Sequence, residues 1–409
     1  MSSVLLLLSL MSATPGDAWP AFRGDGSSVS LAKQLPTTWS DNQNAAWVID
    51  LPGYGQSSPV VLNKTVFLTA VEGESKEKLL VFALEAASGK ILWTKEFMAS
   101  QKIPSSDYVS RGAPTPVVDA DRLYVFFETG DLLALTHKGD LVWQRSLVND
   151  YGKFGGNHGV GSSLAAQGDA VHVLVDHDGP SYLLAVSKAT GETQWKVDRE
   201  SRVSWSSPIV DHSQEVPQVL ISSNGALESY LASTGERRWW ITGLSGNTVA
   251  SPTIRGGLVM VGSSKPNENF AVRLDGKGEL TPTDIRWRSD EATSSFGSPL
   301  LTDDVAYFVS KAGVLYALDS QTGATLWTDR LGDSPWASPL AAEGKVYLFN
   351  KGGTTIVYQE GREKKRLAEN PLTVDGRIYG VAAVDQAFFV RSGTRLWKLS
   401  APTQPSSSR

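Results

Sequence analysis

The sequence predicts an all-β protein, an eight-bladed β-propeller of four-stranded antiparallel blades, closed by an N-terminal strand that completes the last blade. Three observations carry this prediction. Glycine followed four places later by tryptophan recurs at Gly89–Trp93, Gly139–Trp143, Gly191–Trp195, Gly235–Trp239 and Gly323–Trp327. A Ser/Thr-Pro step, or a relaxed form of it, opens a β-branched run at Ser58-Pro59, Thr115-Pro116, Ser163-Leu164, Ser207-Pro208, Ser251-Pro252, Ser298-Pro299 and Ser338-Pro339, with a weaker eighth opening at Tyr379-Gly380. The final unit supplies only three strands, while the segment Ala45–Leu51 resembles the tryptophan strand that ends the other units. Self-similarity at a fixed period of a few tens of residues marks a repeat architecture, in which each unit needs its neighbours to bury its apolar face. Eight meanders in a row are best closed as a propeller, which leaves only short sheet edges.

Each opening step introduces about four short strands, written SPVVL, TVFLTA, LLVFALE and KILWTKEF in the first copy. Short, aromatic-rich runs between Gly/Asp/Asn turns read as antiparallel meanders. Proline is tolerated at the first strand position because its missing N–H is not needed there. No segment shows helical periodicity. The last unit has strands near 381–384, 387–391 and 395–400, and the Trp47 segment is expected beside them as the outer strand. In the glycine–tryptophan element, glycine permits the tight turn between the two outer strands. Trp47, Trp93, Trp143, Trp195, Trp239 and Trp327 are expected to pack against the adjoining blade as structural residues. Ligand platforms are not repeated around a whole ring.

Composition narrows the function. The 409 residues are 41% hydrophobic, enough for a large core, and carry thirteen tryptophans. The formal charge is −5 with both signs interspersed, which argues against a nucleic-acid face or a basic membrane patch. Cysteine is absent, so thiolate catalysis, disulfides, Cys-ligated zinc and lipidation of an N-terminal cysteine are all excluded. Val4–Leu10 is an apolar run too short to span a bilayer, followed by Gly16-Asp17-Ala18 as a small-x-small cleavage site. Residues 1–18 therefore read as a signal peptide, although no Lys or Arg precedes the run; a buried N-terminal strand is the alternative. Residues 19–400 form one propeller domain and 401–409 a disordered tail. The protein is expected to be exported, periplasmic or extracellular, soluble, and either a monomer or part of a complex.

The element Ala83-x-Glu85-x-x-x-Gly89-x-x-x-Trp93, repeated as Ala317-x-Asp319-x-x-x-Gly323-x-x-x-Trp327, resembles the repeat of the pyrroloquinoline-quinone-like (PQQ-like) propellers. That superfamily contains quinoprotein dehydrogenases and the outer-membrane assembly factor BamB. The segments Trp19–Gly24 and Ala113–Asp119 are similar to segments of exported BamB-like members. The resemblance covers about residues 19–400. It is specific for fold and says little about activity. Two functions follow from it. One is an exported, non-enzymatic scaffold that engages cell-envelope proteins through loops on one face, including by strand addition. The other is a quinoprotein oxidoreductase with PQQ in the central channel, calcium held by Glu and Asn, a catalytic Asp and often an adjacent-cysteine disulfide. This chain has no cysteine, no dense carboxylate cluster, and less length than the usual dehydrogenases. Neither a cofactor nor a metal is expected. There is no Gly-x-Ser-x-Gly, phosphate loop or His-Glu-x-x-His. His172 and His177 read as solvated turn residues, and Asp176–Gly179 as a turn between strands.

One constellation remains. Aligned repeats place Gln56, Ala113, Gly161, Trp205, Val249, Phe296, Trp336 and Tyr379 at equivalent positions, just before each inner strand. Phe296, Trp336 and Tyr379 should then stand side by side at one channel mouth, with Trp205 near them. Two long connections, 98–112 and 148–161, open on the same face and bring Asp107, Tyr108, Arg111, Lys153, Phe154, Asn157 and His158. The aromatics could simply fill the channel. The other reading is a ligand or extended peptide bound at this mouth, with aromatic faces for area and Arg111, Asn157 and His158 for polar contacts, which also admits a carbohydrate or other small molecule.

Overall fold

A computed structural model describes residues 16–106, 108–156, 158–246 and 249–401. The described chain folds into eight antiparallel sheets of at least four strands each. Taken in order these are blade 1 (60–98), blade 2 (117–146), blade 3 (165–199), blade 4 (209–244), blade 5 (253–289), blade 6 (300–330), blade 7 (340–370) and blade 8 (380–400). Ala45–Asp50 pairs antiparallel with Arg395–Ser400 and becomes the outer strand of blade 8, as expected. The cross-strand ion pair Asp50–Arg395 (2.8 Å) faces solvent at this closure. The inner three strands of each blade are buried on both faces, while outer strands such as Ile91–Met98 alternate between exposed and half-buried. That pattern matches sheets packed face to face around an axis, with their outer edges in water.

The blades are fastened at two radii. On the outside, each indole N–H donates to a carbonyl in the outer turn of the next blade: Trp47 to Ala87 (3.0 Å), Trp93 to His137 (2.9 Å), Trp143 to Lys188 (3.0 Å), Trp195 to Ala232 (3.0 Å), Trp239 to Leu274 (3.2 Å) and Trp327 to Gly361 (3.3 Å). Trp287 does the same to Ser320 (2.8 Å). The turn glycine has two roles. Gly235 takes φ +74°, and a Cβ there would lie 2.5 Å from the ring of Trp195. Glycine thus turns the chain and also provides the flat surface on which the neighbour's indole rests. At the blade 7–8 boundary Ala368 occupies the tryptophan position, its pairing with Val357 and adjacent bulge matching those of Trp327. Trp39, from the segment leading into the closing strand, fills that boundary against Tyr347, Phe349 and Phe388.

On the inside, the opening serines and threonine form a belt. The N–H of Ser58 donates to the Thr115 hydroxyl (2.9 Å), Thr115 to Ser163 (3.0 Å), Ser163 to Ser207 (2.9 Å), Ser207 to Ser251 (2.8 Å), Ser251 to Ser298 (3.0 Å) and Ser298 to Ser338 (3.0 Å). Blade 8 has Gly380 at this position, packed so closely that a Cβ would meet Ser58. The buried Arg391 crosses that gap instead, donating to the backbone carbonyls of Ser57 and Thr69 in blade 1.

Residues 19–30 cross the end of the channel opposite the mouth described below. Trp19 pairs with Val61 of blade 1, and Arg23 is buried while donating to the carbonyls of Pro252 and Pro299 on blades 5 and 6. Val29–Ser30 then adds in parallel to the inner strand of blade 7. Most of the expected signal peptide (residues 1–15) and of the expected tail (402–409) lies outside the described residues. Gly16 and Ala18 are described, and the Gly16 carbonyl accepts from the Asp385 N–H of blade 8.

Two expectations need correction. A short helix, Leu147–Tyr151, is present where no helical signal was read, its first turn capped by Ser146 and its Leu147 and Val148 buried. Five residues are too few to show a period. His172 and His177 are not solvated. His172 lies within the strand Ala170–Val175 at 0% exposure against Trp195, and His177 is buried beside Phe154. Every side chain in that strand is covered by an adjacent blade on one face or the other, so alternation carried no information about solvent there.

Candidate functional site

The eight positions that precede the inner strands all line one cavity of about 330 Å³ at the channel mouth. Phe296 and Trp336 stack with centroids 4.3 Å apart, and Trp336 meets Tyr379 edge-on at 5.8 Å. The arc continues into Tyr54, whose hydroxyl lies 2.6 Å from that of Tyr379. Trp205 stands in the same lining, anchored by its indole N–H to the Gly159 carbonyl (2.9 Å), with His158 edge-on to it at 5.7 Å. The long connections supply Tyr108, 67% exposed, and His158. The floor is made by Phe22 from the crossing segment and by Ser58, Thr115, Ser163, Ser207 and Ser251 of the belt.

Some expected members stand elsewhere. Arg111 lies outside the cavity lining, with its guanidinium 3.4 Å from the centroid of the Tyr54 ring. Phe154 is buried against Phe126, and Lys153 is exposed away from the lining. Asp107 and Asn157 lie outside the described residues. Sequence reasoning missed Tyr54, Arg377 and Lys311. Arg377 sits 4.5 Å over the Trp336 ring, and Lys311 is at the cavity rim. Tyr54 and Arg377 each stand two residues before an aligned position, Gln56 and Tyr379, a spacing that repeat alignment could have flagged. Lys311 lies in the hairpin turn between Val305–Val309 and Val314–Asp319 of blade 6.

The electrostatics favour donors over acceptors. Burial and the Tyr379 hydroxyl hold the Tyr54 phenol above its ordinary range, so it stays protonated at neutral pH. Arg391, beneath the arc and without a carboxylate partner, is lowered by burial to about 9. No aspartate or glutamate is among the described residues of the lining. Blades 3 and 4 hold their carboxylates in a separate network, in which Arg199 pairs with Asp176 (3.0 Å) and Glu228 (2.6 Å), all nearly excluded from water.

The family model of the outer membrane protein assembly factor BamB matches residues 15–158, 179–281 and 279–409. The chain belongs to this PQQ-like repeat family. A curated BamB from Moranella endobia (strain PCIT) is 23% identical over 316 residues, covering 73% of this chain and 74% of that protein. The crystal structure of BamB from Moraxella catarrhalis superposes with a TM-score of 0.65 at 14% identity, covering 88% of this chain and 98% of that one. Quinohemoprotein alcohol dehydrogenase from Comamonas testosteroni superposes with a TM-score of 0.66 at 13% identity, covering 97% and 83%. Likeness at these identities to solved structures establishes the propeller and nothing finer.

The lining of this BamB-family channel can be tested against a quinone and its calcium ion. Calcium takes six to eight oxygen ligands, usually including carboxylates, and the described lining offers hydroxyls and one amide but no carboxylate. A planar cofactor also needs an open aromatic face. On the Trp336 ring that face is contested, since Phe296 stacks on it at 4.3 Å and the Arg377 guanidinium lies 4.5 Å from its centroid. The residues present do not fit the quinone–calcium pair.

Proposed function

We propose that this chain is an exported, non-enzymatic BamB-like binding protein of the cell envelope, which engages its partner through the channel-mouth face. The observation that supports it most is the mouth itself: an arc of aromatic residues around an open cavity, beside exposed Tyr108, with no carboxylate among the described lining residues to do acid–base work or hold a cation. The family match and the BamB relatives point to the cell envelope as the place to look for partners. Among the described residues no helix is long and apolar enough to cross a membrane. Tyrosine and tryptophan give large contact area for little lost side-chain freedom, which suits a binding face.

The test is affinity capture from envelope extract with the wild-type chain and with a Tyr108→Ala, Phe296→Ala double variant. A partner retained by the wild type and lost from a folded variant supports the reading; equal capture by both contradicts it. The dehydrogenase-like alternative is addressed by incubating the purified protein with PQQ and calcium, followed by mass analysis and dye-linked alcohol oxidation. Stoichiometric quinone with turnover would replace the scaffold reading.

A further inference from the structure

We propose that the floor of the channel cavity is an oxyanion site, in which the hydroxyls of blades 1 to 5 and the Gln56 amide receive the carboxylate or phosphate of a small organic molecule. This deepens the reading of the mouth as a binding face and rests on it. Thr115, Ser163, Ser207 and Ser251 each accept a hydrogen bond from the backbone N–H of the preceding blade's belt residue. An oxygen so used keeps its own O–H for another acceptor. Among the described residues none of the four donates to a protein group, and neither does Ser58. All five line the cavity and are at least nine-tenths buried.

Two further side chains point the same way. Ser110, buried and in the lining, has an Oγ with no hydrogen-bond partner among the described residues. Gln56 accepts the Arg111 N–H at its Oε1 (3.0 Å), an interaction only the oxygen can make, so its NH2 is left as a donor within the lining. Buried donors without acceptors are costly, and a ligand supplying several lone pairs removes that cost. An oxyanion does so best, because charged acceptors form the stronger hydrogen bonds. Lys311 at the rim adds positive charge and has no ion-pair partner among the described residues. The cavity of about 330 Å³ admits a small molecule or the end of a chain, with the apolar body of either against Phe296 and Trp205.

Phenylphosphate, phenylacetate and neutral 2-phenylethanol are titrated into the full-length protein, read by tryptophan fluorescence and calorimetry. The expected result is that at least one anion binds ten-fold or more tighter than the alcohol, and which anion wins separates a phosphate from a carboxylate ligand. Gln56→Leu and Thr115→Val should each weaken that binding five-fold or more, with unchanged far-UV circular dichroism. Gln56 lies outside the belt, so its variant decides the matter if Thr115→Val does not fold. Equal affinity for the alcohol, no anion binding by folded protein, or anion binding indifferent to Gln56→Leu overturns the proposal. Partner capture that persists alongside any of these would leave the scaffold reading standing and remove only the anion.

Discussion

At His172, burial decides which protonation state the fold accepts. His172 is 0% exposed, neither ring nitrogen has a hydrogen-bond partner among the described residues, and burial with the nearby Lys188 charge lowers its pKa from 6.5 to about 4. The unfolded chain takes up a proton there below pH 6.5, and the folded chain does not until about pH 4. Stability from this residue is therefore complete above pH 6.5 and is lost progressively as pH falls toward 4, by up to about 3 kcal/mol at ~1.4 kcal/mol per pKa unit. Urea titrations at pH 7.5 and 4.5 should show a loss for the wild type that His172→Leu reduces, the remainder coming from groups such as the buried His177, whose value is also lowered; equal losses would show that the ring is hydrated. Nothing in the sequence distinguishes this histidine from one in a turn, because its cover comes from side-chain packing, including the ring of Trp195 two strands away in its own blade. The mouth residues are the reverse case. Seven of them could be read by counting back two residues from the belt position of each inner strand, whereas Tyr379 stands only one residue before Gly380, a register the weak eighth opening did not show, and still reaches the same cavity. What could not be read is how the rings use one another: Trp336 is covered by Phe296 and Arg377, and that depends on rotamers. Trp336→Ala should accordingly lower stability by about 3–5 kcal/mol or less, as expected for a half-buried aromatic, besides any effect on binding. A melting temperature unchanged from wild type would show that the stack is only incidental.

Between blades, the unit of cohesion is an indole on one outer strand and a turn in the next blade. Trp287 performs this task and was not read from the sequence, because the insertion around residues 275–284 displaces glycine from its usual place four residues earlier. Part of that insertion, Gly278–Glu279, lies parallel to the outer strand of blade 4 and covers its edge. Trp93→Ala and Trp287→Ala should each cost about 3–5 kcal/mol by denaturant unfolding. A loss under 1 kcal/mol for both would show that the strands, without the indoles, hold the blades. Gly235→Ala should destabilise by about 1–3 kcal/mol, since it combines a left-handed turn position with a clash against Trp195. A neutral effect would mean that the indole moves aside freely. The Ser/Thr-Pro steps were legible as strand openings because proline marks a first strand position. The hydroxyl's bond to the preceding blade's backbone requires the ring to exist before it can be seen.

The whole ring is uneven. Seven boundaries carry an indole latch, and the blade 7–8 boundary instead has Ala368, with Trp39 inserted against Tyr347, Phe349 and Phe388. Trp39 is pinned there because its backbone N–H donates to the Asn370 side-chain oxygen, while the Asn370 side-chain NH2 donates to the Thr37 carbonyl. The gap in the hydroxyl belt falls at Gly380, also in blade 8, and Arg391 takes its place. Both exceptions lie where the chain ends meet, so Trp39 of the N-terminal segment and Arg391 of the last blade provide closure that the repeats provide elsewhere. The closing strand was legible in Ala45–Leu51 because it keeps the tryptophan pattern. The crossing of residues 19–30 was not, since it follows no repeat and depends on contacts with blades far apart in the chain.

An exposed Asp50→Cys, Arg395→Cys pair, placed in a chain without any other cysteine, tests directly whether the ring is shut. Opposed residues on adjoining antiparallel strands are within disulfide reach. The account predicts that mild oxidation leaves no titratable thiol in the native protein and raises its melting temperature. Two free thiols persisting in the folded protein would mean that these strands do not meet, and that the channel mouth has no closed ring to frame it.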